Sequence, residues 1–342
     1  MNSDIFTLAG VEVPLGHRRK IDISVAKLYD FTGMNVPVEV VRGAEDGPVL
    51  FVCAAIHGDE INGVEIVKRL LNHPTLRRIK GTLIAVPIVN VFGFNTKSRY
   101  LPDRRDLNRS FPGNAEGSLA SQLAHMFLTE IVSKSTHGID LHTGAIHRSN
   151  LPQLRGAMDD PETRRLANAF NVPVIINSAS RDGSLRDAAR ERGIPILLYE
   201  GGEALRFNEQ VIRVGLQGVL SVMQTIGMLP PTLHRDRRYT PFMARSSYWT
   251  RAPHSGTLLP RRNLGDMVEK GELLGMVSDP FGEHRFPLHA SHDGIIVGQT
   301  MLPLVNDGDA CFHIATNEEG KQLLEATPPQ ELVGAQMETF VT

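Results

Sequence analysis

Short apolar runs alternate with longer amphipathic stretches between residues 36 and 232. This alternation predicts an α/β layer architecture, in which helices cover a sheet. Apolar residues recur at helical spacing in the last amphipathic stretch, so we expect that face to pack on the sheet; they are Ile212, Leu216, Val219, Met223 and Ile226. The predicted strands cover residues 36–41, 49–55, 81–89, 138–141, 174–176 and 196–199, and the predicted helices cover 62–72, 119–133, 161–170, 184–192 and 208–226.

The pattern changes after Pro230-Pro231, where a helix cannot continue. An arginine-rich linker at 234–238 leads into short β-like runs, broken by Gly, Pro and Asp, up to about residue 316. We therefore expect a first domain over residues 1–232, a smaller all-β domain over 239–320 and a surface tail over 321–342. The β domain contains two weakly similar halves, 252–277 and 288–314, each with a Gly-Asp pair.

Composition narrows the class of protein. The 342 residues are 41% hydrophobic and 22% charged, which is typical of a globular chain, and the formal net charge of -2 gives no basic field for nucleic acid. Two cysteines are too few for a disulfide framework, which favours a reducing, cytoplasmic location. No run approaches the roughly 18 apolar residues of a membrane span, and the N-terminus lacks the pattern of a signal peptide. We expect neither nucleic acid nor membrane as a partner.

Three candidate metal ligands follow predicted strands. His57 and Glu60 come after the apolar run 49–56, and His142 ends the run 138–142. Zinc hydrolases use three His or carboxylate ligands and keep a fourth position for water, and open α/β sheets place their sites at the carboxyl ends of strands. The competing interpretation, structural or surface histidines, suits most of the 13 histidines. Asp140 is either an orienting partner of a ligand imidazole or a turn carboxylate.

Two further segments carry candidate chemistry. The loop at 99–113 contains four arginines, which can bind a carboxylate or stabilise an oxyanion, although a solvated surface loop would look the same. Glu200 ends the apolar run 196–199 and precedes two glycines. Beside an activated water, such a carboxylate can act as a general base, but a glutamate after a strand is a weak signal when it stands alone.

Four motifs in this order are together far more specific than any one of them. They resemble the succinylglutamate desuccinylase/aspartoacylase family, relatives of the zinc carboxypeptidases, over about residues 36–229. The resemblance implies a carboxypeptidase-like mixed sheet flanked by helices, with a second, smaller all-β domain that shapes or covers the mouth of the active site. The motifs are His57-Gly-Asp-Glu60, Asp106-Leu-Asn-Arg109, Asp140-Leu-His142-Thr-Gly and Glu200-Gly-Gly.

The resemblance also implies roles for single residues. One Zn²⁺ per chain would be held by His57, Glu60 and His142, with Glu200 as general base and acid. Asn108 and Arg109 would bind the substrate carboxylate. Arg99 matches the oxyanion arginine of the family best, with Arg104 as a rival. A further substrate-binding arginine of the family lies upstream of the catalytic glutamate, where Arg181, Arg186 and Arg190 compete.

The expected function is that of a zinc-dependent hydrolase of the amide bond in an N-acyl amino acid or a related small carboxylated substrate. The alternatives are a carboxypeptidase-like peptidase that removes an acidic residue from a peptide or conjugate, and a non-catalytic binding module on the same fold. The sequence leaves open the acyl group, the amine and whether the protein is a homo-oligomer. No lysine stands in a carrier-type hairpin between residues 278 and 290, so we expect no covalently attached cofactor.

Overall fold

The computed structural model of the chain describes residues 5–231 and 240–318. The predicted linker at 234–238 and tail at 321–342 lie outside the described residues. The α-helices are α1 (Asn62–Leu71), α2 (Val91–Thr96), α3 (Leu119–Met126), α4 (Pro161–Phe170), α5 (Leu185–Arg190) and α6 (Glu209–Thr225). The strands are β1 (Ile5–Leu8), β2 (Val11–Pro14), β3 (Arg18–Lys27), β4 (Gly33–Arg42), β5 (Val49–Ala54), β6 (Thr82–Val86), β7 (His137–Gly144), β8 (Arg148–Gly156), β9 (Val174–Asn177), β10 (Ile196–Glu203), β11 (Phe242–Ala244), β12 (Ser246–Arg251), β13 (Gly256–Pro260), β14 (Met267–Val268), β15 (Leu273–Ser278), β16 (Arg285–His289), β17 (Gly294–Thr300), β18 (Leu304–Val305) and β19 (Ala310–Thr316).

One mixed sheet forms the centre of the protein. Its strands follow the order β12-β19-β17-β8-β10-β7-β5-β6-β4-β3, with β9, β11 and β14 on side branches. The neighbours β6, β5, β7 and β10 run parallel, whereas β8 runs antiparallel to β10. A separate antiparallel sheet has the order β16-β15-β13-β18. The predicted class, a mixed sheet flanked by helices with a further all-β region, is confirmed.

The central strands are buried on both faces. In β5, Leu50 and Val52 belong to the core shared with α1, α4 and α6, whereas Phe51 and Cys53 belong to the core shared with α3 and α5. A strand covered by helices on both sides reads as a continuous apolar run, which is why the sequence identifies these strands. All five residues of the apolar face predicted in α6 lie in the first core or pack against it, so that prediction is also confirmed.

Some elements differ from the prediction. The strand predicted at 81–89 is limited to Thr82–Val86, and the helix predicted at 119–133 is α-helical only over Leu119–Met126 before it continues as a π turn and a 3-10 turn. Strand β8 was not predicted, because its polar residues and Pro152 are unlike those of a central strand. The proline falls where the pairing of β8 with β10 shifts register.

The central sheet continues from the first region of the chain, residues 5–231, into the second region, residues 240–318. Strand β8 pairs with β17 through Asn150 and Gly298, and β9 pairs with β11. The Gly-Asp pairs of the two predicted halves each precede a strand, and Gly265 and Gly308 have φ of 89° and 80°. These are left-handed conformations that glycine adopts without steric cost. The domain limits themselves remain a prediction.

Both cysteines, Cys53 and Cys311, are buried as free thiols. Within residues 5–231 and 240–318, none of the helices combines the length and apolar character needed to cross a bilayer.

Candidate active site

The sequence-predicted site residues meet at the carboxyl ends of β5, β7 and β10. His57 and Glu60 follow β5, His142 lies near the end of β7, and Glu200 lies in β10. Glu200 and His142 are register partners in the parallel pair of β10 and β7. Because these strands are parallel neighbours, residues from three distant segments reach one edge of the sheet, as is usual for sites of open α/β folds.

The loop after β5 has a tightly constrained backbone. Ala55 is fully buried with φ of 51°, a left-handed conformation that is uncommon for a residue with a side chain. A Cβ atom on Gly58 would lie 2.0 Å from the backbone of Gly93 in α2, so only glycine fits there. These two positions turn the chain so that His57 and Glu60 face the same point.

His57, Glu60 and His142 form a compact, buried cluster. Nδ1 of His57 lies 2.7 Å from Oε1 of Glu60, and Nδ1 of His142 lies 2.7 Å from Oε2 of Glu60. The candidate ligand atoms are all within 4.8 Å of one another, and no other group of three His, Cys, Asp or Glu residues is close enough to hold a metal in the described parts of the chain. Two imidazoles and a carboxylate are a ligand set that Zn²⁺ accepts.

Each imidazole of the cluster has a second carboxylate on its other nitrogen. Nε2 of His57 is 3.1 Å from Asp106, and Nε2 of His142 is 2.8 Å from Asp140. A neutral imidazole that donates Nε2–H to a carboxylate keeps the lone pair of Nδ1 for a metal, an arrangement common in zinc sites. Of the two interpretations of Asp140, this contact favours the orienting partner.

The carboxylates of the cluster are held in their charged form. Burial by itself raises the pKa of Glu60, but the adjacent His57 and His142 outweigh burial and keep the pKa well below its usual range. Burial likewise raises the pKa of Asp106, but the contacts with His57 and Arg99 outweigh burial. The pKa of Asp106 is therefore well below its usual range. Burial by itself lowers the pKa of His57 and His142, but the neighbouring carboxylates outweigh burial and raise both. A buried set of carboxylates that attracts positive charge in this way suits a cation at the centre of the cluster.

Glu200 is held through one of its two oxygens. Asn150 Nδ2 donates a hydrogen bond to Oε2 at 3.0 Å, and Arg155 forms an ion pair with the same oxygen, 3.3 Å from its Nε atom and without a hydrogen bond. None of the described residues donates to Oε1, which is therefore the oxygen available for proton transfer. Both partners lie on β8, the strand that the sequence pattern did not predict, so neither was found in advance.

The arginine loop reaches the site through only some of its residues. Arg99 donates to Asp106 at 3.0 and 3.2 Å and to Glu60 at 3.2 Å. Arg104 is exposed in a left-handed turn with φ of 61°. Asn108 is buried, and its Oδ1 accepts from the backbone N–H of Leu185 at 2.9 Å. Arg109, like Arg99 and Asn108, lines the cleft beside the cluster.

This cleft has a volume of about 400 Å³ and a strongly cationic lining. Glu60 and Glu200 are its carboxylates, against the guanidinium groups of Arg99, Arg109, Arg148, Arg155, Arg181 and Arg186. Of the three arginines that competed upstream of Glu200, Arg181 and Arg186 line the cleft, whereas Arg190 is bound to Asp187 at 3.0 Å with most of its side chain exposed.

Arg186 is the most buried of these arginines. It is 9% exposed, and its Nη1 atom has no hydrogen-bond partner among the described residues. Burial lowers the pKa of Arg186 to about 10, and the positive charge of Arg155 adds to the effect. Glu200 and Asp140 offset these effects only in part, and no described carboxylate lies within ion-pair distance of Arg186, so an anion beside it would be stabilised.

One wall of the cleft comes from the second region of the chain. Ser247 and Trp249 on β12 and His313 on β19 line it. The three residues carry no motif, and they face the cleft only because β17 and β19 extend the central sheet beyond β8. Sequence reasoning could not find them, since the strand that connects the two regions was itself missed.

Solved structures share this fold. The structure is similar to succinylglutamate desuccinylase/aspartoacylase from Rhodobacter sphaeroides, with 25% identity, coverage of 87% of this chain and 95% of that chain, and a TM-score of 0.78. It is also similar to the product-bound ectoine utilization protein EutE (DoeB) from Ruegeria pomeroyi, with 22% identity, coverage of 89% and 97%, and a TM-score of 0.79. These likenesses define the class by its fold, a mixed α/β sheet flanked by helices with a further all-β region.

The family follows from the sequence match. The profile of the succinylglutamate desuccinylase/aspartoacylase catalytic domain matches residues 46–226, more than half of the chain. The chain therefore belongs to this family, as the four motifs indicated. It is also 28% identical over 298 residues, 82% of this chain and 85% of the relative, to N-alpha-acetyl-L-2,4-diaminobutyric acid deacetylase of Halomonas elongata.

Proposed function

We propose that the protein is a zinc-dependent deacylase that hydrolyses the amide bond of a small, anionic N-acyl amino acid. His57, Glu60 and His142 would hold one Zn²⁺, Glu200 would serve as general base and acid, and Arg99 would face the developing oxyanion. Asn108 and Arg109 would bind a substrate carboxylate.

The buried cluster of His57, Glu60 and His142 is the observation that supports this proposal. Two Nδ1 atoms and one carboxylate converge there, and Asp106 and Asp140 contact the opposite nitrogens of the two imidazoles.

The residues present suit a hydrolytic reaction. Zn²⁺ at this centre would supply Lewis-acid chemistry, lowering the pKa of water and polarising the acyl carbonyl. Oε1 of Glu200, which has no partner among the described residues, would accept a proton from the attacking water and pass it to the leaving nitrogen. The C–N bond then breaks, and the products are a carboxylic acid and an amine.

The contacts of the loop support Arg99 over Arg104 for the oxyanion. The Arg99 guanidinium reaches Glu60 in the cluster, whereas Arg104 lies exposed outside the cleft. Burial by itself lowers the pKa of Arg99, but Glu60 and Asp106 outweigh burial and raise it, so the cation is retained. A fixed cation beside developing negative charge stabilises a transition state without reorganisation.

The charge of the cleft supports an anionic substrate. No described carboxylate lies within ion-pair distance of Arg109, Arg148, Arg181 or Arg186. A substrate with a second carboxylate could pair with the buried Arg186 and with Arg181.

The relative from Halomonas elongata is named for a substrate whose amine side carries a second amino group. A free ammonium group in this cleft would be repelled by the unpaired guanidinium groups. We therefore place N-acyl aspartate, N-acyl glutamate and similar dicarboxylates ahead of diamino acids as substrates.

The size of the cleft supports a deacylase over a peptidase. Ser247, Trp249 and His313 close one side of a space of about 400 Å³, which suits a small molecule. No observation favours an extended peptide. The intact ligand set and the free Oε1 of Glu200 speak against a non-catalytic binding module.

The first experiment measures metal content and turnover together. Wild-type protein and His142→Ala would be purified gently and analysed by elemental mass spectrometry. His284→Ala is the matched control, because His284 is exposed and contacts only Asp279 among the described residues. Free amine would then be measured with N-acetylaspartate, N-acetylglutamate, N-acetyl-2,4-diaminobutyrate and short acidic peptides.

About one zinc per chain in the wild type and His284→Ala, lost in His142→Ala together with amine release, is the expected result. A wild type that retains no metal and hydrolyses none of these compounds after addition of zinc would overturn the proposal. Turnover of peptides alone would replace the deacylase with the peptidase.

A further inference from the structure

A chain of contacts joins Glu200 to the second region of the protein. Arg155 forms an ion pair with Glu200, with its Nε atom 3.3 Å from Oε2, although that N–H makes no hydrogen bond among the described residues. An Nη atom of Arg155 donates to Nδ1 of His313 at 3.4 Å. His313 in turn contacts Oγ of Ser247 through Nε2 at 2.9 Å. The chain begins in β10 of the first region and ends in β12 and β19 of the second.

The contacts define which nitrogen of His313 carries the proton. A guanidinium can only donate, so Nδ1 of His313 accepts from Arg155 and Nε2–H donates to Ser247. Burial lowers the pKa of His313 well below its ordinary value, and the charges of Arg155, Arg181 and Arg148 add to this effect. The imidazole is therefore neutral at physiological pH.

The ring of His313 is also fixed in place. It stacks on Trp249 with a centroid distance of 4.5 Å and an interplanar angle of 5°, and Arg148 lies 5.1 Å over the Trp249 ring. His313 is 5% exposed. A stacked and hydrogen-bonded ring offers Arg155 an acceptor at a fixed position.

A neutral acceptor has a specific advantage here. Arg155 lines the same cleft as Arg181 and Arg186 and repels the Arg186 guanidinium, so an acceptor helps to hold it beside Glu200. A carboxylate at position 313 would provide one but would compete with Glu200 for the charge of Arg155. A neutral imidazole satisfies one N–H group and leaves that charge to Glu200.

We propose that His313 is a positioning residue for the reaction, which holds Arg155 against Oε2 of Glu200 and so keeps Oε1 directed to the reacting water. This inference rests on the proposed role of Glu200. The second region would then do more than line the cleft, because the contacts from Ser247 to Glu200 pass through His313 and Arg155.

The test uses three substitutions of His313 in the full-length zinc protein. His313→Asn keeps an acceptor near the position of Nδ1, His313→Gln keeps a polar group near the position of Nε2, and His313→Leu keeps neither. kcat and KM would be measured on the best substrate of the panel, together with zinc content and thermal midpoint. We expect His313→Asn to stay within about 3-fold of wild-type kcat, while His313→Gln and His313→Leu lose about 10- to 100-fold in kcat with little change in KM.

A second background tests whether His313 acts through Arg155. Arg155→Leu should lower kcat by itself, and in that background His313→Leu should cause no further loss, because the two residues would act as one unit. Equal kcat values for the Asn, Gln and Leu variants, or a full additional loss in the Arg155→Leu background, would overturn the positioning role. Wild-type kcat in Glu200→Gln would instead overturn the proposed base itself, so the two failures are distinguishable.

Discussion

The ligand cluster and the arginine wall of the same cleft have opposite charge balance. At the ligand cluster, Glu60 and the two outer carboxylates of Asp106 and Asp140 contact the imidazoles, and one guanidinium, Arg99, pairs with Glu60 and Asp106. With the imidazoles neutral, which is the form that binds a metal, an excess of two negative charges remains. In the wall, defined as Arg109, Arg148, Arg181 and Arg186, no described carboxylate lies within ion-pair distance. One region has the charge that a divalent cation neutralises, and the other has the charge that an anion neutralises.

This difference indicates which kind of ligand each region would bind. Charges removed from water are costly unless they are paired, so a surplus of one sign at a buried site points to a partner of the other sign. Glu200 lies between the two regions, next to His142 in the sheet register and beside Arg155. A substrate with its acyl group at the cluster and its carboxylates at the wall would place the scissile bond beside Glu200.

The largest expected effect comes from removing Glu200, the proposed base between the two regions. Glu200→Gln should lower kcat by about 10²- to 10⁴-fold, because the amide cannot accept the proton of water. Zinc content should remain at the wild-type value, since Glu200 is not one of the three proposed ligands. Glu203→Gln, in the same strand and outside the cleft lining, is the control for steady-state kinetics and elemental analysis. Unchanged turnover in Glu200→Gln would remove this residue from the mechanism.

The charge of the cluster is tested next by removing one outer carboxylate. Asp140→Asn should weaken zinc binding by about 10- to 100-fold, because the amide orients the His142 imidazole less well and removes a negative charge. Competition with a chromophoric chelator measures the dissociation constant. Asp159→Asn, an exposed position, serves as the control. Equal zinc affinity in the two variants would argue that Asp140 has no orienting role.

The charge of the wall is tested by removing its most buried guanidinium. Arg186→Met should raise KM for a dicarboxylic N-acyl amino acid by about 10-fold or more, since a charge-assisted hydrogen bond is lost. The thermal midpoint should not fall, because the variant no longer buries an unpaired cation. Arg190→Met is the matched control on the same helix, with a guanidinium outside the cleft. A lower midpoint with unchanged KM would show that Arg186 stabilises the fold and does not bind substrate.

The smallest effect concerns the pH dependence of stability. The pKa of His313 is depressed in the folded protein and near 6.5 when unfolded, so the unfolded chain takes up a proton first as pH falls. The free energy of unfolding should therefore decrease below pH 6.5 until the folded pKa is reached, by up to about 1.4 kcal/mol per pH unit for one proton. Denaturant unfolding between pH 7 and 5.5 should show a shallower decrease for His313→Asn. Parallel curves would contradict a buried neutral imidazole.

The sequence predicted the fold well where strands are buried on both faces. Strand β5 and its parallel neighbours are apolar throughout and end at motif residues, so both the class and the ligand cluster could be found. Strand β8 carries the polar residues Asn150, Gln153 and Arg155, which face the cleft or the neighbouring strands. In the sequence alone, a central strand with a polar face and a proline looks like a loop. The partners of Glu200 on this strand were therefore missed.

Only part of the second region could be predicted from its sequence pattern. Its β character and repeated Gly-Asp turns are local features and could be predicted. His313 and Trp249 lie close to Glu200 only through strand pairings between distant segments, which hydrophobic periodicity does not encode. The choice of Arg186 over Arg190 likewise depended on burial, because both residues occupy the same helix.

The pairing of β8 with β17 has a consequence for any shortened form of the chain. Without residues 240–318, the first part of β8 would lose its neighbour, and the buried Gln153 amide would lose the backbone oxygen of Val297, to which it donates at 3.2 Å. Unpaired strand edges with apolar surroundings recruit other chains and promote aggregation. We therefore expect a chain cut after residue 231 to aggregate more readily than the full chain, and a second region taken from a relative should restore solubility when it supplies a strand that pairs with this edge.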